Sequence, residues 1–239
     1  MSANGHLADG APTDQRSVFF FDIDNCLYPK SYKIHDLMGV LIDNYFQNHL
    51  GLTQEDAETL HQRYYKDYGL AIEGLARHHR VDPLEYNRLV DDALPLDGLI
   101  KPNPKLRQLL QDIDRTKIKP WLFTNAHITH GQRVVRLLEI DDLFEGITYC
   151  DYTVQPLLCK PAVAMYDKAM RELSSVSIVR VDHHSDDSTI NVIGSKKYGW
   201  KSVHLVEPVS TSPPKPVGDF QIPELEELRQ CFPEVFKEH

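Results

Sequence analysis

The chain has 239 residues, of which 41% are hydrophobic and 26% are charged, and its 35 acidic and 26 basic residues give a formal net charge of −9. This composition supports a sizeable core and excludes a wholly disordered chain, a collagen-like repeat and a small disulfide-stapled fold. An acidic surface repels a polyanion, so we expect no nucleic-acid partner. A small phosphorylated substrate stays compatible, because one local cation outweighs a distant net charge.

The ends of the chain and its cysteines bear on where the protein works. Cys26, Cys150, Cys159 and Cys231 form no CxxC pair, which is typical of free thiols in a reducing compartment. Residues 1–16 are polar and contain glycine and proline, so we predict a disordered tail and not a signal peptide. No apolar run approaches the ~20 residues that cross a bilayer. We expect a soluble protein of the cytoplasm or the nucleus, with no membrane partner.

Short apolar runs alternate with helical patterns along the chain. Four of these runs are predicted to be buried strands: residues 17–21, 120–123, 178–181 and 203–206. A fifth run, residues 146–150, is a weaker candidate. Helical patterns cover 133–139 and 161–173. Strands that alternate with helices predict an α/β fold with a parallel sheet.

The stretch between the first two strands has a different pattern. Ile34, Leu37, Leu41 and Tyr45 are spaced for one helical face, and Thr53 is in position to cap a second helix. More helix is predicted over 84–90. We therefore predict a helical insertion at 33–104 between two parts of an α/β core, 17–32 and 105–207. Residues 208–239 are predicted to be a proline-rich linker with a short acidic helix at 223–230.

Polar residues follow the predicted strands. Asp22 and Asp24 come directly after the first strand, where parallel sheets present their active sites. Two carboxylates so close need a cation, a shared proton or open water, although a solvated loop with a helix cap also uses such residues. After the second strand, Thr124 and Asn125 offer donors for a phosphate oxygen or, equally, a cap for the next helix.

Two further motifs complete the pattern. Lys160 precedes Pro161, which suits the first position of a helix, and a cation beside the positive end of a helix favours an anion partner. After the third strand, Asp182 and the pair Asp186-Asp187 offer oxygen ligands for Mg²⁺. The intervening His183-His184 pair lacks the spacing of helical zinc ligands, so we favour Mg²⁺ over zinc.

In this order, the motifs resemble those of the haloacid dehalogenase-like hydrolase superfamily. The closer resemblance is to fungal pyrimidine 5′-nucleotidases, over residues 19–29, 64–75, 85–96, 121–126 and 147–161. It implies a Rossmann-like parallel sheet core whose insertion, residues 33–104, is an α-helical cap. It also implies a Mg²⁺-dependent phosphomonoesterase with a small phosphorylated substrate. The resemblance to pyrimidine 5′-nucleotidases implies that this substrate is a pyrimidine nucleoside 5′-monophosphate such as UMP or CMP.

The resemblance gives roles to individual residues. A carboxylate is ionised at neutral pH, so Asp22 is able to attack phosphorus directly and form an aspartyl-phosphate. Asp24 is implied to be the acid and base, for which its pKa must be raised, and it separates this chain from dehalogenases, which need no acid. Thr124 and Lys160 are implied to bind the phosphoryl oxygens. The implied metal ligands are Asp22, the backbone carbonyl of Asp24, and Asp186.

Substrate binding is assigned to Asn125 and to residues of the cap, where Tyr68, Arg88 and Asp91 are candidates for the base or ribose. Surface or packing roles fit each of these three equally well.

One departure from the family leaves alternatives open. Relatives carry an adjacent Asp-Asp-Ser directly after the third strand, whereas here about four residues separate Asp182 from Asp187-Ser188. Either the strand is longer or the acidic pair is displaced. We choose Asp186 as the loop ligand, with Asp182 as its rival. The alternative functions are a phosphatase for another small ester and a non-catalytic regulatory protein with a degenerate metal site.

Overall fold

A single parallel sheet organises the chain. The computed structural model describes residues 14–174, 181–208 and 215–238. The strands are β1 (Ser17–Phe21), β2 (Ile118–Phe123), β3 (Ile147–Thr148), β4 (Val181–Asp186), β5 (Lys201–Leu205) and β6 (Phe220–Ile222). They lie in the order β3-β2-β1-β4-β5-β6 and every pairing is parallel. The predicted α/β fold with a parallel sheet is confirmed.

Helices lie between the strands in the chain. They are α1 (Ile34–Leu50), α2 (Gln54–Tyr68), α3 (Ala71–His78), α4 (Pro83–Leu89), α5 (Leu96–Leu99), α6 (Pro104–Gln111), α7 (Ile128–Leu137), α8 (Val163–Ser174), α9 (Thr189–Tyr198) and α10 (Leu228–Cys231). Within the described ranges, no helix is both long and apolar enough to cross a membrane.

Strand β1 is buried on both faces, which explains its nearly continuous apolar sequence. Phe19 and Phe21 pack into one hydrophobic cluster, and their rings stack at 4.5 Å. Val18 and Phe20 pack into another, where Phe20 stacks on Trp200 at 4.7 Å. Successive side chains of a strand point to opposite faces, so β1 joins the two cores and holds its carboxyl end in place.

Helices α1 to α4 pack around a further hydrophobic cluster that includes Phe46, Tyr64 and Leu75. The predicted cap of α2 is confirmed, since Thr53 Oγ1 accepts a hydrogen bond from the backbone N–H of Asp56 at 3.2 Å. The same cluster takes in Tyr152 and other residues from 150–159, so the cap rests on the segment that precedes Lys160.

Several element boundaries differ from prediction. Helix α8 begins at Val163, so Pro161 is not its first residue. The short acidic helix is a 3-10 turn, Leu225–Glu227, followed by α10, and β6 was not predicted. Within the predicted tail, Arg16 forms an ion pair with Glu145 at 2.7 Å. Residues 1–13, 175–180 and 209–214, which include parts of the predicted tail, third strand and linker, lie outside the described residues.

Candidate active site

The carboxyl ends of three neighbouring strands bring the predicted polar residues together. Asp22 directly follows β1, Thr124 follows β2, and Asp186 is the last residue of β4. Strand β1 lies between the other two, and the backbone N–H of Asp22 donates to the carbonyl of Ser185 at 3.0 Å. Because the three strands are parallel, all three residues lie at the same edge of the sheet.

Lys160 joins two of these carboxylates. Its Nζ lies 2.9 Å from Asp22 Oδ1 and 2.6 Å from Asp186 Oδ2, and it donates to the carbonyl of Phe123 at 2.8 Å. The side chain is fully buried. Burial lowers the pKa of Lys160, but Asp186 and Asp22 outweigh burial and raise that pKa above its usual range. The anion partners predicted for Lys160 are therefore carboxylates of the site itself.

The site holds more acidic groups than Lys160 neutralises. Asp22, Asp186 and Asp187 each offer a carboxylate oxygen within 4.8 Å of the others. Burial, and then Asp186, raise the pKa of Asp22 well above its usual range, and the same two causes raise that of Asp187 to about 6. Lys30 partly compensates, with its Nζ 3.0 Å from Asp187 Oδ2. Three crowded oxygen ligands suit a hard divalent cation such as Mg²⁺.

The register of β4 decides between the two readings of the acidic loop. Val181 pairs with Val18 and His183 with the next residue, Phe19, so β4 carries one extra residue at this bulge and then continues to Asp186. Strand β4 is thus longer than the strand of relatives in which Asp-Asp-Ser follows directly. Asp182 precedes Asp186 by four strand residues, or roughly 13 Å at the usual rise. Asp186, and not Asp182, reaches the edge with Asp22.

Asp24 has a different partner from the one that its predicted role requires. Its Oδ1 accepts hydrogen bonds from the Tyr28 hydroxyl at 2.7 Å and from His130 Nε2 at 2.8 Å. Burial raises the pKa of Asp24, but His130 and Tyr28 outweigh it, so the pKa lies below its usual range. The expected raised pKa is wrong for this arrangement. Burial lowers the pKa of His130, yet Asp24 raises it to about 9, so His130 holds the proton of the pair.

Sequence reasoning gave no role to His130. It lies in the first turn of α7, which begins four residues after Thr124. That position, directly beyond a strand edge with predicted site residues, was the available signal. Its ring is almost fully buried, and its Nδ1 has no partner among the described residues.

Thr124 and Asn125 have separate tasks. Thr124 is buried, borders the cavity and accepts a hydrogen bond from the backbone N–H of Ala126 at 3.0 Å. Both ends of the Asn125 amide contact the backbone of Lys160. Its Oδ1 accepts from the Lys160 N–H at 2.6 Å, and its Nδ2 donates to the Lys160 carbonyl at 2.9 Å. Asn125 lines the cavity and its polar atoms also position Lys160, so its role in substrate binding stays a prediction.

Two of the cap candidates do not line the cavity. The Tyr68 hydroxyl bonds His78 Nε2 at 2.6 Å, and Arg77 lies over the Tyr68 ring at 5.1 Å. Arg88 is largely exposed and its partner is Glu85, at 3.8 Å. Binding roles for Tyr68 and Arg88 are therefore not supported. Asp91, the third candidate, does line the cavity.

A cavity of about 520 Å³ lies between core and cap. Its core end is formed by residues that include Asp22, Thr124 and Lys160. The cap contributes a mostly apolar wall with Met38, Ile42, Tyr65, Leu70 and Tyr86. The Tyr65 hydroxyl also bridges to Ser188 Oγ at 3.2 Å. A volume of this size accommodates a small organic molecule attached to a phosphate.

Comparison with known proteins agrees with this geometry. Residues 17–181 match the family of haloacid dehalogenase-like hydrolases, and this is more than half of the chain. Phosphate metabolism protein 8 of Saccharomyces cerevisiae is 40% identical over 205 residues, which cover 82% of this chain and 64% of the yeast protein. The chain thus spans less than two thirds of that relative. The protein belongs to the haloacid dehalogenase-like hydrolases, and the predicted superfamily is confirmed.

Solved structures show the same fold at low sequence identity. A haloacid dehalogenase-like phosphatase from Thermococcus onnurineus has a TM-score of 0.55 and 17% identity, covering 91% of this chain and 98% of its own. The hydrolase YfnB from Bacillus subtilis, determined with magnesium, has a TM-score of 0.58 and 13% identity, covering 92% of this chain and 99% of its own. At these identities the likeness is one of fold.

Proposed function

We propose that this hydrolase is a Mg²⁺-dependent phosphomonoesterase that acts through an aspartyl-phosphate on Asp22. The observation that carries the proposal is the buried Lys160 ammonium, which contacts both Asp22 and Asp186 at the carboxyl edge of the sheet. An enclosed cation beside a carboxylate nucleophile suits the attack of one anion on another, since such a reaction needs charge neutralisation and alignment above all.

Each residue of the site has its own role in the proposed hydrolysis. An oxygen of Asp22 forms a bond to phosphorus while the bond from phosphorus to the ester oxygen breaks. The leaving oxygen takes a proton from the pair formed by Asp24 and His130, whose hydrogen bond holds that proton between Oδ1 and Nε2. Water then attacks phosphorus, the bond between phosphorus and Asp22 breaks, and one proton of the water returns to the pair formed by Asp24 and His130 as inorganic phosphate leaves. Thr124 and Lys160 bind the phosphoryl oxygens throughout.

The crowded carboxylates fit the predicted metal. Asp22 and Asp186, with the backbone carbonyl of Asp24, would hold Mg²⁺. Burial, and then the charge of Asp186, raise the pKa of Asp22, so a cation at this point would be stabilising. Bound Mg²⁺ supplies positive charge that neutralises the phosphate and the nucleophile. Because β4 still delivers Asp186 to Asp22, the geometry favours a working site over a degenerate, non-catalytic one.

The proposed substrates are pyrimidine nucleoside 5′-monophosphates such as UMP and CMP. The cap sequences resemble those of fungal pyrimidine 5′-nucleotidases, and the name of the 40% identical yeast relative refers to phosphate metabolism. The cavity volume and the tyrosine rings at its wall, Tyr65, Tyr86 and Tyr152, suit a nucleoside.

A screen of phosphate monoesters with and without Mg²⁺ tests this function. The panel contains UMP, CMP, AMP, a sugar phosphate and p-nitrophenyl phosphate. We expect Mg²⁺-dependent release of phosphate, fastest from UMP and CMP, and no turnover by Asp22→Asn. Turnover of Asp22→Asn near that of the unaltered protein would overturn the covalent mechanism. Faster hydrolysis of AMP or of the sugar phosphate would overturn the assignment of substrate.

A further inference from the structure

One buried carboxyl group of the cap faces the cavity without a partner for one of its oxygens. Asp91 lies two residues beyond the end of α4, is 5% exposed and lines the cavity. Its Oδ2 has no hydrogen-bond partner within the described part of the chain. A buried acceptor left without a donor is destabilising, so this oxygen is placed to meet a donor from a ligand.

The neighbouring residue shows what a structural carboxylate looks like at this place. Asp92 is exposed and lies outside the cavity wall. Its carboxylate accepts hydrogen bonds from Asn87 Nδ2 at 3.0 Å and from the Thr129 hydroxyl at 3.4 Å, which tie the cap to α7. The requirement to join cap and core is thus met by Asp92. This role does not explain why Asp91 is buried at the cavity.

The surroundings of Asp91 indicate which part of a substrate it meets. Burial raises the pKa of Asp91 to about 7, with smaller contributions from His130 and a Tyr152 hydrogen bond, which lower it, and from Asp24 and Asp92, which raise it. Asp91 is therefore close enough to interact electrostatically with Asp24 and His130, the two groups assigned to protonate the ester oxygen. The part of a phosphate ester nearest that oxygen is the alcohol to which the phosphate is attached, and not the base farther along the molecule.

We propose that Asp91 accepts hydrogen bonds from hydroxyl groups of the alcohol half of the substrate, so that the site selects polyhydroxylated phosphate esters such as ribonucleotides. An ionised carboxylate is an acceptor only, and Asp91 Oδ2, which lacks a partner among the described residues, suits the donor of a substrate hydroxyl group. The same charge disfavours a second anionic group at this place. This inference rests on the proposed phosphomonoesterase function and adds a specificity-determining residue to it.

The test compares three esters that differ in their hydroxyl groups: UMP, 2′,3′-dideoxyuridine 5′-monophosphate and p-nitrophenyl phosphate. Steady-state kinetics with Mg²⁺ are measured for the unaltered protein, Asp91→Asn and Asp91→Ala, with Asp92→Asn as the matched control. Hydrogen bonds to a charged group contribute about 1.5–3 kcal/mol. We therefore expect kcat/KM for UMP to fall about 10- to 150-fold in Asp91→Ala, and that for the other two esters to change by less than about threefold.

Several results would overturn the inference. An equal loss on all three esters would show that Asp91 supports the site as a whole, and an unaltered protein that treats UMP and its dideoxy analogue alike would show that no hydroxyl group is recognised. A loss in Asp92→Asn that is selective for UMP would also contradict it. A urea unfolding curve for each variant shows whether the folded state persists.

A binding measurement separates this inference from the proposed function. Calorimetry of Asp22→Asn, with Asp91 either intact or changed to Asn, compares UMP with its dideoxy analogue. If no ester is hydrolysed by the unaltered protein but UMP binds more tightly than the analogue only when Asp91 is intact, the proposed function fails and the inference stands. If esters are hydrolysed and the preference is independent of Asp91, the inference fails and the function stands.

Discussion

Two glycines end consecutive helices of the cap in the left-handed conformation, and they differ in what surrounds them. Gly51 ends α1 with φ +66°, and a Cβ built there meets nothing within 4 Å. Gly69 ends α2 with φ +83°, and a Cβ there would lie 2.3 Å from the carbonyl oxygen of Lys160 and 2.7 Å from Pro161 Cδ. Gly69→Ala and Gly51→Ala therefore both place alanine in an unfavourable left-handed conformation. Gly69→Ala alone of the two also brings a Cβ too close to the Lys160 carbonyl.

The two costs are separable in size. Placing alanine in the left-handed region costs about 1–2 kcal/mol, which both variants should lose in free energy of unfolding. Ordinary contact begins at 3.4 Å, so the Lys160 peptide must also move by roughly 1 Å in Gly69→Ala. That movement disturbs the 2.6 and 2.9 Å contacts of Lys160 Nζ with Asp186 and Asp22. A misplacement of about 1 Å costs on the order of 100-fold in rate.

Urea unfolding and hydrolysis of p-nitrophenyl phosphate with Mg²⁺ measure the two effects. We expect both variants to unfold at lower urea concentration, Gly69→Ala more so. We expect kcat/KM to fall about 100-fold in Gly69→Ala and less than about threefold in Gly51→Ala. Activity of Gly69→Ala near that of Gly51→Ala would refute the idea that the end of α2 fixes the position of Lys160. The same loss in both variants would mean that cap stability alone controls turnover.

Three further predictions follow from the same site. Asp186→Asn should raise the Mg²⁺ concentration for half-maximal activity at least tenfold and Asp182→Asn less than twofold, since β4 brings Asp186, and not Asp182, to Asp22. A magnesium titration with the opposite order would contradict this register. Lys160→Met should lower the free energy of unfolding in Mg²⁺-free buffer by about 3 kcal/mol, because it leaves two buried carboxylates without their cation; unchanged urea unfolding would contradict it. Asp24→Asn should lose far more activity on UMP than on p-nitrophenyl phosphate, whose leaving group needs less protonation; equal losses would argue against proton transfer to the leaving oxygen by the pair of Asp24 and His130.

The sheet was predictable where strands are apolar and less so where they are polar. Residues of β1 and β2 are buried on both faces, so their apolar runs identified them. Strand β4 contains His183 and His184, which the sequence presented as an insertion. His183 stacks on Phe19 at 5.2 Å, and His184 meets Phe123 edge-on at 5.7 Å. Aromatic neighbours let a central strand bury imidazoles, and no apolar pattern reveals this.

The candidate site was predictable from strand ends but not from helix faces. Asp22, Thr124 and Asp186 meet because parallel strands deliver their carboxyl ends to one edge. Tyr68 and Arg88 do not line the cavity. The sequence could not show this, because helical spacing indicates which residues share a face, and not which face borders a cavity. Asn125 was correctly placed at the edge, but its contact with the Lys160 backbone depends on a loop 35 residues later in the chain.

An anion partner for Lys160 was expected from the sequence, but the physical cause given for it was incomplete. The sequence argument placed it at the positive end of a helix, yet α8 begins three residues later, and the charges that hold it are Asp22 and Asp186. With Asp187 beside them, the carboxylates still exceed what Lys160 and the half-exposed Lys30 neutralise. An entering phosphate adds further negative charge, which a buried site accepts only if a cation accompanies it. Metal and phosphate binding at this edge of the sheet are therefore expected to depend on each other.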